Sequence, residues 1–165
     1  MLCALGVAAV LEVGAGPAPA AGAQRQALMW KLGPFDQQAV RRALDVAVAM
    51  LASPRCQQVY SEFELPDGGT PQDELDRKGI GPREFLETLV FTDGSREPVC
   101  GLGAAAFTTR PSSGLIFVCP LFVWRPTRPE RSAIFIIHES LHALGLGENP
   151  PSSTEITARI ERRCP

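Results

Sequence analysis

The 165-residue sequence predicts a small α+β protein of one domain, with a short β-sheet, a helix that carries both histidines and a C-terminal helix. A helical pattern comes first, strand-like runs follow in the middle of the chain, and two more helical patterns lie toward its end. The length is enough for one hydrophobic core but not for two. Hydrophobic residues make up 45% of the chain, which argues against intrinsic disorder.

The charge and hydropathy patterns exclude two classes of partner. Lysine and arginine number 16, aspartate and glutamate number 18, and the formal net charge is −2. The basic residues are scattered along the chain, which argues against nucleic-acid binding because that function needs a basic surface. No run of about eighteen consecutive apolar residues occurs, so we expect no transmembrane segment.

Residues 1–23 are predicted to be a secretory signal peptide. The segment starts small and apolar, continues rich in Ala, Gly and Pro, and ends in an A-x-A cleavage site at Ala23. The alternative is a disordered, alanine-rich tail, because no Lys or Arg precedes the apolar stretch and Glu12 lies near its end. With the signal peptide removed, the mature domain spans residues 24–165 and is secreted or periplasmic.

The cysteines support export. Cys3 belongs to the leader, and the other four show no C-x-x-C spacing, which argues against a cysteine zinc site or a thioredoxin-like redox motif. Cys100 and Cys119 end two strand-like runs that a hairpin can bring together. Cys56 and Cys164 are then left to tie the first helical region to the C-terminus. The alternative is four buried free thiols, as in cytosolic proteins.

The first half of the chain contains mainly helical signals. Asp36 is a candidate N-cap for a helix whose apolar residues recur at helical spacing as far as Leu51. Pro54 breaks this helix and begins a turn that carries Cys56 and Tyr60. The polar, Gly/Pro-rich stretch 65–81 is predicted to be a surface loop with a short helix at about residues 71–77.

Strands are predicted in the middle of the chain. Residues 85–92 can begin as a helix after Pro82, but the apolar run 89–92 precedes an Asp-Gly turn and is typical of a strand. Two further strands are expected at about residues 102–108 and 115–119. The segment between these two strands contains Pro and Gly and favours a hairpin.

Two helices are predicted to close the chain. From Glu130 onward, apolar residues recur on one helical face, and Gly145 provides a C-terminal stop. The apolar run 134–137 taken alone is strand-like, but the polar residues that follow it at i, i+4 spacing favour a helix. Ser152 and Glu155 have the S-x-x-E form of a capping box and open a final helix toward Arg163.

The two histidines of the chain both fall in an H-E-x-x-H motif formed by His138, Glu139 and His142. Side chains at positions i and i+4 of a helix are neighbours, about 5–6 Å apart at Cβ, so both imidazoles can reach one Zn²⁺. Glu139 follows the first ligand directly and can act as the general base for metal-assisted hydrolysis.

Glu148 is the first candidate for a third metal ligand. The motif continues as H-E-x-x-H-x-x-G-x-x-E, and a positive φ at Gly145 would turn the chain back toward the histidines. Two imidazoles and one carboxylate leave a fourth zinc position open, which is the catalytic arrangement. Glu155 on the last helix is the rival ligand, although its capping role already explains its presence.

The motif resembles that of the zincin metallopeptidases. The extended form is similar to the metzincin signature, with Glu148 where that signature has a third His, and residues 114–122 resemble the strand before the metal helix of deuterolysin-like zincins. The chain differs from metzincins in having no Met after Met50, and from deuterolysin-like enzymes in having no Asp after Asp93. The resemblance covers about residues 104–155 and implies a zincin-like fold, a zinc cofactor and a peptidase activity.

The sequence therefore predicts a secreted, monomeric zinc metallopeptidase that hydrolyses peptide or protein substrates with Glu139 as the base. We expect the strand at 115–119 to offer an edge for an extended substrate. An arginine such as Arg159 could stabilise the developing oxyanion, whereas Tyr60 is expected to be a packing residue. The alternative is a non-catalytic extracellular binding or structural module with a zinc site.

Overall fold

The computed structural model describes residues 27–109, 113–124 and 129–164. It has the predicted α+β fold, in which helices surround a small four-stranded sheet. The predicted signal peptide at 1–23 lies outside the described residues. Every helix in the described ranges is too short or too polar to cross a lipid bilayer.

The first long helix, α1 (Pro34–Met50), begins earlier than the sequence predicted. Gly33 is its N-cap and Pro34 occupies the first turn, so the assignment of Asp36 as N-cap is wrong. Proline suits this position because its fixed φ matches the helix and its missing N–H would have no partner there. Asp36 instead lies in the first turn, where a carboxylate interacts favourably with the helix dipole.

Short helices follow, and a proline opens each of the α-helices among them. They are α2 (Pro54–Gln57), a 3₁₀ helix (Gln58–Ser61), α3 (Pro71–Lys78) and α4 (Pro82–Leu86). The predicted break at Pro54 and the predicted short helix in the 65–81 loop are both confirmed. Thr70 and Asp73 form a capping box that begins α3, and Gly79 ends it in the left-handed conformation.

The sheet is mixed, with strand order β1-β2-β4-β3. Its strands are β1 (Leu28–Trp30), β2 (Val90–Asp93), β3 (Ala106–Thr108) and β4 (Leu115–Val118). The three strands β1, β2 and β4 are parallel, and β3 is antiparallel to β4, as the predicted hairpin requires.

The prediction that residues 115–119 form a sheet edge is wrong. Strand β4 lies inside the sheet because β2 pairs with one of its sides and β3 with the other. Among the described residues, the outermost strand at this end of the sheet is therefore β3. The predicted strand at 102–108 is also shorter than expected, because α5 (Pro98–Gly101) and an irregular stretch precede β3.

The helix that carries both histidines lies at the centre of the fold. After α6 (Pro120–Trp124), helix α7 (Pro129–Ala143) packs against α1 on one side and against β3 and α8 (Ser153–Arg163) on the other. Most of α7 is buried, including Ile136, Ile137 and Leu141. Ser152 and Glu155 form the predicted capping box at the start of α8.

Two disulfides join the predicted cysteine pairs. Cys56–Cys164 links α2 to the end of α8, with 4.6 Å between the two Cα atoms. Cys100–Cys119 links α5 to the residue after β4, with a Cα separation of 5.2 Å. The pairing is confirmed, but Cys100 lies on a short helix rather than at the end of a strand. The bonds are compatible with an extracellular location.

Removal of either disulfide should lower the free energy of unfolding, and the long-range bond should matter more. In the chain-entropy model, loops that span the observed separations of 19 and 108 residues contribute about 3 and about 5 kcal/mol. Urea unfolding of the two Cys→Ser double variants measures both effects. Equal and negligible losses would contradict the pairing.

Candidate metal centre

His138 and His142 lie one helical turn apart on α7 and point to the same place. Their Nε2 atoms are 3.0 Å apart. Two nitrogens bound tetrahedrally to zinc at about 2.0–2.1 Å lie about 3.3 Å from each other. The two imidazoles are therefore already spaced like ligands of one metal ion.

The turn after α7 has the hydrogen bonds of a Schellman motif. Gly145 has a φ of 112°, its N–H donates to the carbonyl of His142, and the N–H of Leu146 donates to the carbonyl of Leu141. Leu141 and Leu146 are both buried, which supplies the apolar contact that accompanies this motif. The positive φ reverses the chain, as predicted for Gly145, and carries Glu148 back to the histidines.

Glu148 completes a cluster of three possible ligands. Its Oε1 lies 3.4 Å from Nε2 of His142 and 3.8 Å from Nε2 of His138. The ligand atoms of the three residues all lie within 4.8 Å of one another. The donor set of two imidazoles and one carboxylate is that of catalytic zinc sites with a fourth position left open.

The hydrogen bonds on the far side of each ring favour metal binding. His142 Nδ1 lies 2.7 Å from the carbonyl oxygen of Leu146, which can only accept, so Nδ1 carries the proton and Nε2 carries a lone pair. His138 Nδ1 lies 3.0 Å from the hydroxyl of Thr157 on α8 and can donate to it in the same way. Two nitrogen lone pairs and a carboxylate that face one another repel unless a cation lies among them. The residues therefore fit a divalent metal.

Burial keeps His138 neutral. The pKa of His138 is lowered to about 3, mainly by desolvation and in part by the positive charge that His142 carries when protonated. A neutral imidazole is the form that binds a metal ion. His138 is therefore available as a ligand without first losing a proton.

Glu139 lies beside the cluster and is itself buried. The pKa of Glu139 is raised to about 7, mainly by burial and in part by the charge of Glu148, against the opposite effects of His142 and of a hydrogen bond from Thr108. The hydroxyl of Thr108, on β3, donates to Glu139 Oε2 at 3.0 Å. A carboxylate whose pKa lies near neutral pH suits a group that accepts and releases a proton.

The other candidate residues lie elsewhere. Glu155 is exposed and accepts hydrogen bonds from the N–H and the hydroxyl of Ser152, so its carboxylate serves the helix cap. Arg159 forms an ion pair with Glu62 at 3.2 Å and lines a different cavity from the one that His138 and Glu139 line. Tyr60 is fully buried and bonds to Ser140, as expected for a packing residue.

Sequence reasoning missed the residues that support the cluster from other elements. Thr108 and Thr157 each contact one functional side chain, and they lie 31 and 19 residues away from it along the chain. Neither threonine lies in a recognisable sequence motif, so only the folded structure shows that they hydrogen-bond to Glu139 and His138. Arg131, on the same face of α7 as the histidines, also lines a cavity that reaches His138 and Glu139.

Comparisons with protein-family models, curated proteins and solved structures find no match to this chain. The geometry of the cluster is therefore the basis for a functional proposal.

Glu148→Ala should weaken zinc binding far more than Glu155→Ala. The first change removes a carboxylate that faces both Nε2 atoms, and the second removes only a helix cap worth about 1 kcal/mol. Competition with a chromophoric chelator measures zinc affinity in both variants. A larger effect of Glu155→Ala would assign the third ligand to α8.

The buried pair of Tyr60 and Ser140 should stabilise the helix that bears the cluster. The Ser140 hydroxyl donates to the carbonyl of Ile137, so the Tyr60 hydroxyl donates to Ser140 Oγ, at 2.7 Å. Loss of this bond in Tyr60→Phe should cost about 1 kcal/mol. A double-mutant cycle with Ser140→Ala isolates the coupling between the two hydroxyls, and a coupling of zero would contradict the bond.

Proposed function

We propose that the chain is a zinc-dependent peptidase, with His138, His142 and Glu148 as metal ligands and Glu139 as the general base. The observation that carries the proposal is the convergence of two Nε2 atoms and one carboxylate oxygen directly beside a buried glutamate. When bound, zinc would polarise the scissile carbonyl and make an attacking water more acidic.

Glu139 is the residue that favours an enzyme over a structural zinc site. Burial of a carboxylate costs free energy, and the raised pKa of Glu139 reflects that cost. A structural site with three or four ligands has no use for a further buried carboxylate that is not itself a ligand. In a peptidase, Glu139 would accept the proton of the attacking water and pass it to the leaving amine.

The neighbouring sheet edge supports a peptide as substrate. Among the described residues, strand β3 pairs with β4 on one side and with no strand on the other, and it carries the Thr108 that donates to Glu139. An extended peptide that pairs with a free strand edge gains main-chain hydrogen bonds. Such pairing along β3 would bring a backbone carbonyl close to the metal centre.

The proposal includes export from the cytosol. The predicted leader at 1–23 and the two disulfides support it, because disulfides form and persist in oxidising compartments. The expected active form is the oxidised, monomeric domain after removal of the leader.

Glu139→Gln should retain zinc and fold but abolish peptide hydrolysis, because glutamine has nearly the same shape and cannot accept the proton. General acid–base catalysis contributes about 10²–10⁴-fold, so the loss should be at least that large. Cleavage of a mixed peptide library, followed by mass spectrometry, measures the activity, and the zinc content of each sample is determined in parallel.

The matched control is Glu161→Gln on the exposed surface of α8, which should cleave like the native chain. Native-level cleavage by Glu139→Gln would mean that another base acts or that the activity is a contaminant. If the zinc-loaded native chain cleaves no peptide, the peptidase proposal is wrong and the chain is better described as a non-catalytic zinc-binding module.

A further inference from the structure

A cavity of about 300 Å³ extends from the metal centre toward the start of α7. One wall is the stretch from Gly103 to Ala106, whose small side chains leave the cavity open. Phe135 and Leu121 add apolar surface, and His138 and Glu139 are shared with the metal centre. Ser153 and Thr157 add hydroxyl groups, so a substrate group beside the reacting bond would enter a space of mixed polar and apolar lining.

Arg131 contributes a guanidinium group to this lining. It is exposed, and its guanidinium carbon lies 6.0 Å from the centre of the Phe135 ring, a cation–π arrangement. Within the described ranges, no carboxylate lies at ion-pair distance from Arg131. By contrast, Arg77, Arg159 and Arg163 each pair with a glutamate. Among the described residues, the positive charge of Arg131 is therefore available to a group that occupies the cavity.

The helix sets the distance between this charge and the reacting groups. Arg131, Phe135, His138 and His142 follow one another on a single face of α7, at helical spacing. Arg131 precedes Glu139 by eight residues, about 12 Å along the axis, so the two charges are well separated. It precedes His138 by about 10 Å, which corresponds to about three residues of an extended peptide.

We propose that Arg131 binds a carboxylate of the substrate and so gives the enzyme a preference for peptides with an acidic group within about three residues of the cleaved bond. An Asp or Glu side chain and a free C-terminal carboxylate carry the same chemistry, and a guanidinium binds either in a bidentate manner. The preference for cleaving peptides with an acidic group rests on the proposed function, whereas the binding of a carboxylate requires only the cavity and Arg131.

Two sets of synthetic peptides distinguish the sources of the carboxylate. One set compares Asp or Glu with Asn or Gln at each position near a mapped cleavage site. The other compares a free C-terminus with a C-terminal amide. We expect the native chain to cleave the carboxylate member of at least one set about tenfold faster or more, as fits a hydrogen bond to a charged group.

Variants then assign the preference to Arg131. Arg131→Ala should lose the preference, and Arg131→Glu should reverse it toward peptides that carry Lys or Arg at the same position. Arg42→Glu, an exposed change of equal charge on α1, is the control and should leave the preference intact.

A binding measurement separates this inference from the proposed function. The affinities of the acidic and the amide peptides are measured on a Glu139→Gln background, with and without Arg131→Ala, so that no cleavage is needed. If acidic peptides bind more tightly and Arg131→Ala abolishes the difference, the inference holds even if no variant cleaves a peptide. If acidic and neutral peptides bind equally, or the difference survives Arg131→Ala, the inference is wrong even if the native chain is a peptidase.

Discussion

The hydrogen bond between His142 Nδ1 and the carbonyl of Leu146 is the interaction on which the candidate metal centre depends. It fixes the tautomer of a candidate ligand, and it exists because the positive φ of Gly145 turns the chain back after α7. The same turn brings Glu148 to the histidines. One glycine therefore determines the orientation of one candidate ligand and the position of another.

The rest of the fold holds the helix before that turn. Helix α7 lies between α1, α8 and the sheet, and its buried isoleucine and leucine side chains fix its rotation. With the rotation fixed, His138 and Glu139 must be buried as well, and each of them has a polar partner from another element. Thr157 and Thr108 satisfy these groups, which lowers the cost of placing polar side chains in the interior.

Local features of the sequence predicted most of the site. Some features depend only on residues that are close together in sequence, so the sequence alone is sufficient to recognise them. They are the spacing of the H-E-x-x-H motif, the glycine after it and the capping box at Ser152. The cysteine pairs followed from the order of the elements. By contrast, the inner position of β4 depends on its pairing with β2, which is distant in sequence. The short strand β1 and helix α5 have no periodicity long enough to be recognised.

The three ligand side chains differ in their access to solvent. Only 7% of the His138 side chain is exposed, whereas 43% of the Glu148 side chain is exposed, on a loop rather than a helix. If a metal ion binds here, it can reach the imidazoles through the displacement of one surface carboxylate, while the hydrophobic core stays closed. Under the proposed function, loading and removal of the ion would then require no unfolding of the domain.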